Sequence, residues 1–351
     1  MNKKKKIWLI IVISILVLIG GAYIGINLYI DNMLSKISVE EVIPEEVHIV
    51  EDITEKAHEV VNIMLVGADN LDRSVGRENS YVQERSDVFK IVSLDYTNKD
   101  IKLISLDRDI VVWIPDKGEN GEFGRFNWAY SFGGAKYALG TINYNLDLDV
   151  SKYVSFSFAG FRDVIDIIGG IDISLTKAEA NELNKGSKTT MKCVEGLNHL
   201  DGLTALNYSR IRYIDSDFIR MDRQNNVIDA VISKFKESSV SELLDTINKC
   251  LPYISTNFTG SEIKDYLTDV LTFNLANIKK QTYPAGGQND VCWNKEGIGG
   301  YLLRSYSDQV IKLHKFIYET DDYKPSQSIY DLEKKTYETY GEFYENSQLI
   351  P

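Results

Sequence analysis

The run Val88-Phe89-Lys90-Ile91-Val92-Ser93-Leu94, the polar link Asp95-Tyr96-Thr97-Asn98-Lys99-Asp100 and the run Ile101-Lys102-Leu103-Ile104-Ser105-Leu106 read as two strands and the connection between them. Both runs are rich in branched aliphatics, and the link has the residues that favour turns. If the pair is an antiparallel hairpin, Arg85 and Asp87 lie beside Asp107, Arg108 and Asp109 at its open end. Upstream, Val61 to Val66 is a further short apolar run, followed by Gly67 and Asp69; downstream, Ile110 to Ile114 reads as another strand. Tyr153 to Phe158 alternates as a strand, Phe161 to Ile168 reads as a helix closed by Gly169-Gly170, and Ile171 to Leu175 is again extended. This alternation predicts an α/β domain. Beyond it the pattern turns helical, from Asp217 to Lys236, then after capping boxes at Ser239 with Glu242 and Thr259 with Glu262, and last from Asp308 to Glu319.

The chain has 351 residues, enough for a sizeable core. Its net charge of −12 argues against a nucleic-acid partner, which needs a broad basic face. Residues 1–6 hold four lysines, Lys3 to Lys6, and Ile7 to Ile30 is uncharged and apolar. As a helix that stretch is ~36 Å long, enough to cross a bilayer with some tilt. The lysines before it and Asp31, Glu40 and Glu41 after it predict a single-pass anchor in the cytoplasmic membrane, with the N-terminus inside and the remainder extracellular. Residues 31–59 read as an acidic stalk, 60–320 as the folded domain and 321–351 as a polar tail outside the core.

Arginine falls in a few tight windows, although lysine outnumbers it, and its planar fork suits phosphate oxygens. If Tyr208 to Tyr213 is extended, Arg210 and Arg212 project from one face about 7 Å apart and could straddle a diphosphate. On the following helix Asp217, Arg220 and Gln224 share a stripe that continues into Ile228, Val231 and Phe235, while Arg223 stands off it. Asp69 and Asp87 could reach one hard cation such as Mg²⁺ if the first strand neighbours the hairpin. The four histidines are scattered, so neither a zinc site nor a Ser-His-Asp triad is supported. Gly133-Gly134 reads as a tight turn, and Cys193, Cys250 and Cys292 allow at most one disulfide.

These residues resemble the LytR-CpsA-Psr family of cell-wall glycopolymer ligases. The blocks that carry the resemblance occur in order: Asn62 to Asp69, Arg85-Ser86-Asp87, Ile104 to Asp109, Phe126 to Tyr130 with Gly133-Gly134, Leu200-Asp201-Gly202, Tyr208 to Arg212, and Asp217 with Arg220, Arg223 and Gln224. The resemblance implies a central mixed sheet covered by helices, with a polyprenyl-pyrophosphate-linked glycan (teichoic acid, capsular or related) as donor, its tail in an apolar tunnel. The glycopolymer phosphate would pass to a peptidoglycan hydroxyl, on muramic acid in most such enzymes. Carried over by position, Asp69 and Asp87 would hold Mg²⁺ or Mn²⁺. Arg85, Arg108, Arg210, Arg212, Arg220 and Gln224 would contact the pyrophosphate, and Asp217 is a further acidic position. The chain departs from the family in Leu106-Asp107, where Ile-Pro is common, in Ala68 and in the charged loop from Asn70 to Glu84. Two other functions fit the same residues: a polyprenyl-pyrophosphate hydrolase and a non-catalytic module that binds lipid-linked glycan.

Overall fold

The computed structural model describes residues 31–35, 37–39, 41–50, 59–68, 86–186, 188–212, 214–270, 272–293 and 299–346. The apolar run 7–30 and the residues Asp69 and Arg85 lie outside this set. Among the described residues no helix is long and apolar enough to cross a membrane.

The strands are β1 (Ser38–Val39), β2 (Val60–Ala68), β3 (Ser86–Asp95), β4 (Asp100–Leu106), β5 (Val111–Ile114), β6 (Glu122–Arg125) and β7 (Lys152–Ser157). They continue as β8 (Ile171–Leu175), β9 (Gly196–Leu200), β10 (Ile254–Thr256), β11 (Lys279–Tyr283), β12 (Val291–Trp293) and β13 (Tyr301–Leu303). Seven form one mixed sheet in the order β1-β10-β7-β2-β3-β4-β11. β2, β3 and β4 run antiparallel to one another, whereas β7 lies parallel to β2 and β11 parallel to β4. The hairpin expected from the sequence is thus β3-β4, with Phe89 opposite Leu106 and Ile91 opposite Ile104. Gly67 sits where the β2-β3 register slips; a Cβ there would come within 3.1 Å of Val88 Cβ.

Strand alternation sends Phe89 and Ile91 to one face of the sheet and Val88 and Lys90 to the other. The first face carries the main core, with Met64, Val66, Ile104 and Leu106 packed against α1 (Phe126–Leu146). That helix escapes a reading by period because it is apolar on most sides and kinked. The Gly133-Gly134 turn exists, but it lies inside the helix, with Gly134 at φ 63°. The second face is covered by α2 (Phe158–Ile167), α4 (Gly202–Ser209), α5 (Asp217–Glu237) and α6 (Val240–Cys250), α3 (Lys177–Leu183) lying between α2 and α4 in the chain. After α7 (Gly260–Val270) come α8 (Tyr306–Tyr318) and α9 (Gln327–Asn346).

Two boundary expectations are corrected. The segment after Asp321 does not stay outside: Ile329 and Leu332 are buried in the main core, and Tyr344 Oη donates to Leu303 O at 2.8 Å. Few aliphatics suffice because they share one helical face with Thr336, and because tyrosine rings bury apolar area while their hydroxyls find partners. Asp147 fixes the entry to α9, accepting hydrogen bonds from Ser326 N and Oγ, both 2.7 Å, and from Tyr323 Oη at 2.9 Å. Nor does the acidic segment simply lift the domain, since Val47 belongs to the main core, Met33 and Leu34 pack on Leu251, and β1 pairs with β10. All three cysteines are free and buried. Leu332→Ala should lower the unfolding free energy by about 2–5 kcal/mol in a denaturant titration, which a tail lying outside the core would not show.

Candidate active site

The β3-β4 register brings the strand ends together, and Arg108, just beyond β4, contacts Asp87 at the start of β3. Around them opens a cavity of about 530 Å³, lined by Asp87, Arg108, Asp109, Arg125, Arg210, Arg212, Arg220 and Gln224 among others. Burial and the nearby Arg220 push the Arg108 guanidinium down to about 10. It still carries its charge at neutral pH.

The 208–213 stretch is not the extended segment expected. Tyr208 and Ser209 complete α4, and Arg210 is its C-cap. Both arginines nevertheless line the cavity, each braced differently. Arg210 lies with its guanidinium 4.9 Å from the Phe158 ring centroid and 3.8 Å from Asp87. Arg212 reaches two carboxylates, Asp109 at 3.4 Å through Nη2 and Asp217 at 3.2 Å through Nε. One turn into α5, Arg220 is buried and donates to Asp217 at 2.5 Å. Gln224 follows on the same face.

Arg223 is elsewhere. It is buried against Glu179 of α3 at 2.7 Å, Asp215 and the carbonyl of Ile211 at 3.1 Å, and it does not line the cavity. Its work is to brace the 211–215 loop. A residue the sequence windows missed takes a place in the cavity: Arg125, at the end of β6, sits 3.4 Å from Asp109 and 5.0 Å from the Trp128 ring centroid. Its signal was its position immediately before Phe126-Asn127-Trp128, since it belongs to no arginine cluster.

Asp87 offers carboxylate oxygens at the cavity wall, paired with Arg108 and Arg210, while Asp69, its expected partner toward a hard cation, lies outside the described residues. Behind the guanidiniums, carboxylate oxygens of Asp107, Asp109 and Asp217 lie within 4.8 Å of one another. Two of those residues, Asp109 and Asp217, are already held by arginines.

A second cavity, of about 450 Å³, lies between the sheet and the helices α2, α5 and α6 and is almost wholly apolar. Val88, Phe158, Ser209 and Gln224 line both cavities, so the two adjoin. Its one ionisable wall residue on the sheet is Lys90, whose Nζ donates to Ser105 Oγ at 2.6 Å and Asn225 Oδ1 at 2.7 Å. Burial lowers that amine to about 7.

An apolar cavity beside a guanidinium-lined pocket suits an amphiphile with an anionic head. The chain belongs to the LytR_cpsA_psr family, whose pattern matches residues 24–303. It is 30% identical over 273 residues to the polyisoprenyl-teichoic acid–peptidoglycan teichoic acid transferase TagU of Enterococcus faecalis, covering 77% of this chain and 84% of that one. TagU of Bacillus cereus is 29% identical over 270 residues, with 76% and 83% covered. The crystal structure of B. subtilis TagV superposes with a TM-score of 0.59 at 26% identity, over 76% of this chain and 99% of the other.

Proposed function

We propose that this protein is a phosphotransferase that moves a glycopolymer from a polyprenyl-pyrophosphate carrier to a peptidoglycan hydroxyl. The observation that carries the reading is the junction of the two cavities at Val88, Phe158, Ser209 and Gln224, which suits a long apolar tail behind a diphosphate. The TagU relatives, named for transfer of teichoic acid to peptidoglycan, support the same chemistry.

In this reading the acceptor hydroxyl attacks the phosphorus that bears the glycan. The bond to the bridging oxygen breaks, polyprenyl phosphate leaves, and a phosphodiester joins glycan to peptidoglycan. Arg108, Arg210, Arg212 and Arg220 orient the diphosphate and offset the charge gathering on its oxygens. The hydroxyl proton goes to a carboxylate at the cavity wall. Asp69 and Asp87 would hold Mg²⁺ or Mn²⁺, which supplies further neutralisation of the leaving phosphate when bound. The acceptor would be muramic acid in peptidoglycan, reached from the outer side of the cytoplasmic membrane to which residues 7–30 anchor the domain.

The test is the mass of the product formed from a polyprenyl-pyrophosphate-linked glycan with and without peptidoglycan oligomers, each with and without Mg²⁺. Glycan phosphate joined to the oligomer supports transfer. Free glycan phosphate in both arms would make the protein a hydrolase, and tight binding without turnover a carrier module. Protease added to intact protoplasts should remove the domain; its survival would overturn the topology.

A further inference from the structure

Asp107 lies at the mouth of the β3-β4 hairpin, beside Arg108. It is buried, 1% exposed, immediately after β4. Its backbone N–H donates to the carbonyl of Tyr283 at 3.0 Å, and its Oδ1 accepts the N–H of Asp109 at 2.8 Å. Its Oδ2 has no hydrogen-bond partner among the described residues. The charged groups around it are paired with one another, although Asp217 Oδ1, Arg220 Nε and Arg108 Nε likewise have no hydrogen-bond partner among the described residues. Asp109 is met by Arg125, Arg212 and Arg108, Asp217 on α5 by Arg212 and Arg220, and from β13 Tyr301 faces the same acids.

An ionised carboxylate here would be a third negative charge, desolvated and without a donor on Oδ2, beside two others. A divalent cation would have to displace arginines from Asp109 and Asp217. A proton needs no extra room.

We propose that Asp107 is a positioning residue of the anion pocket, keeping a proton on Oδ2 and sharing it with the carboxylates of Asp217 and Asp109. Only two negative charges then sit behind the guanidiniums, so a net positive charge faces an anion in the cavity. Burial, reinforced by Asp217, raises the Asp107 carboxyl from 3.8 to about 8, in keeping with the geometry. Loss of the proton above that pH adds a third negative charge behind Arg212 and Arg220, which already pair with Asp109 and Asp217, and so offsets more of the positive charge they present to an anion in the cavity. Deepening the diphosphate reading above, the inference rests on it for the binding arm of its test alone.

The experiment uses the full chain in detergent micelles with geranylgeranyl pyrophosphate as probe. The ratio of Kd at pH 9.5 to Kd at pH 7 is measured for wild type and for Asp107→Asn. Lys90, Arg108 and the probe titrate in both proteins, so the difference between the two ratios isolates Asp107. The ratio should be roughly tenfold larger in wild type. Equal ratios overturn the proposal. Independently of any ligand, infrared difference spectra of wild type should show the carbonyl stretch of a protonated carboxylic acid at pH 7 that vanishes by pH 9.5; its absence at pH 7 overturns the proposal too. Stability follows the same proton. The folded chain holds it between about 4 and 8 while the unfolded chain has released it, so Tm should fall with rising pH across that window more in wild type than in Asp107→Asn. If the probe binds neither protein, the diphosphate reading fails while the infrared band still decides Asp107.

Discussion

Arg210→Lys and Arg212→Lys should each lower the rate of glycopolymer transfer by on the order of 30- to 1,000-fold, although both keep the positive charge. A charge-assisted contact used in the transition state is worth roughly 2–4 kcal/mol, which is the source of that range. The geometry makes the loss specific to the guanidinium. Arg212 spans two carboxylates with two different nitrogens, leaving its remaining N–H groups to the cavity. An ammonium can serve one partner at a time. Arg210 lies against the Phe158 ring, which a planar cation stacks on better than a tetrahedral one. A solvent-exposed ion pair would tolerate either change at a cost within about 1 kcal/mol. Initial rates with a lipid-pyrophosphate donor, alongside melting temperatures, decide the matter. Rates for both variants within a factor of three of wild type would remove these arginines from the site.

The part of this site that was legible in the sequence is the part governed by strand geometry. Two apolar runs joined by a short turn-rich link make an antiparallel hairpin, which fixes which ends meet and with that the approach of Asp87 to Arg108. Helical spacing likewise placed Asp217, Arg220 and Gln224 on one stripe of α5, two of them lining the cavity. What failed depended on tertiary context. The same-face reading of Arg210 and Arg212 rests on 208–213 being extended, yet Asp201 caps a short helix that runs to Ser209 with Arg210 as its C-cap. Arg125 was overlooked because clustering along the chain says nothing about a lone residue that β5-β6 pairing delivers to the cavity. The C-terminal helix reads as a polar tail because its aliphatics are few, yet Ile329 and Leu332 fall on one face with Thr336, and Tyr340 and Tyr344 pack on a neighbouring cluster. Arg223 resembled a ligand residue by company alone; Glu179, distant in sequence, claims it.

Ile228→Trp should separate the two halves of the site. Ile228 lies on α5 and lines the apolar cavity, as do Val231 and Phe235 further along the helix. An indole there fills space that a prenyl tail would otherwise occupy, while the arginines around Asp87, on the other side of Val88 and Gln224, are left as they are. Burying a methylene is worth about 0.8 kcal/mol, so a five-carbon isoprene unit offers up to roughly 4 kcal/mol before ordering costs are subtracted. If the indole excludes one unit and half of that energy is realised, the loss is about 2 kcal/mol, or roughly 30-fold in Kd. Affinity for geranylgeranyl pyrophosphate should therefore fall by at least that factor, whereas affinity for inorganic pyrophosphate should stay within about twofold. Transfer should fall along with binding of the long donor, because tail binding remote from the phosphorus helps to hold the diphosphate in its reactive position. Titrations of both ligands against wild type and Ile228→Trp provide the check, with Tm confirming that the larger side chain is accommodated. A variant that binds the lipid as wild type does would mean that the tail lies outside this cavity, and the junction at Gln224 would then carry no functional weight.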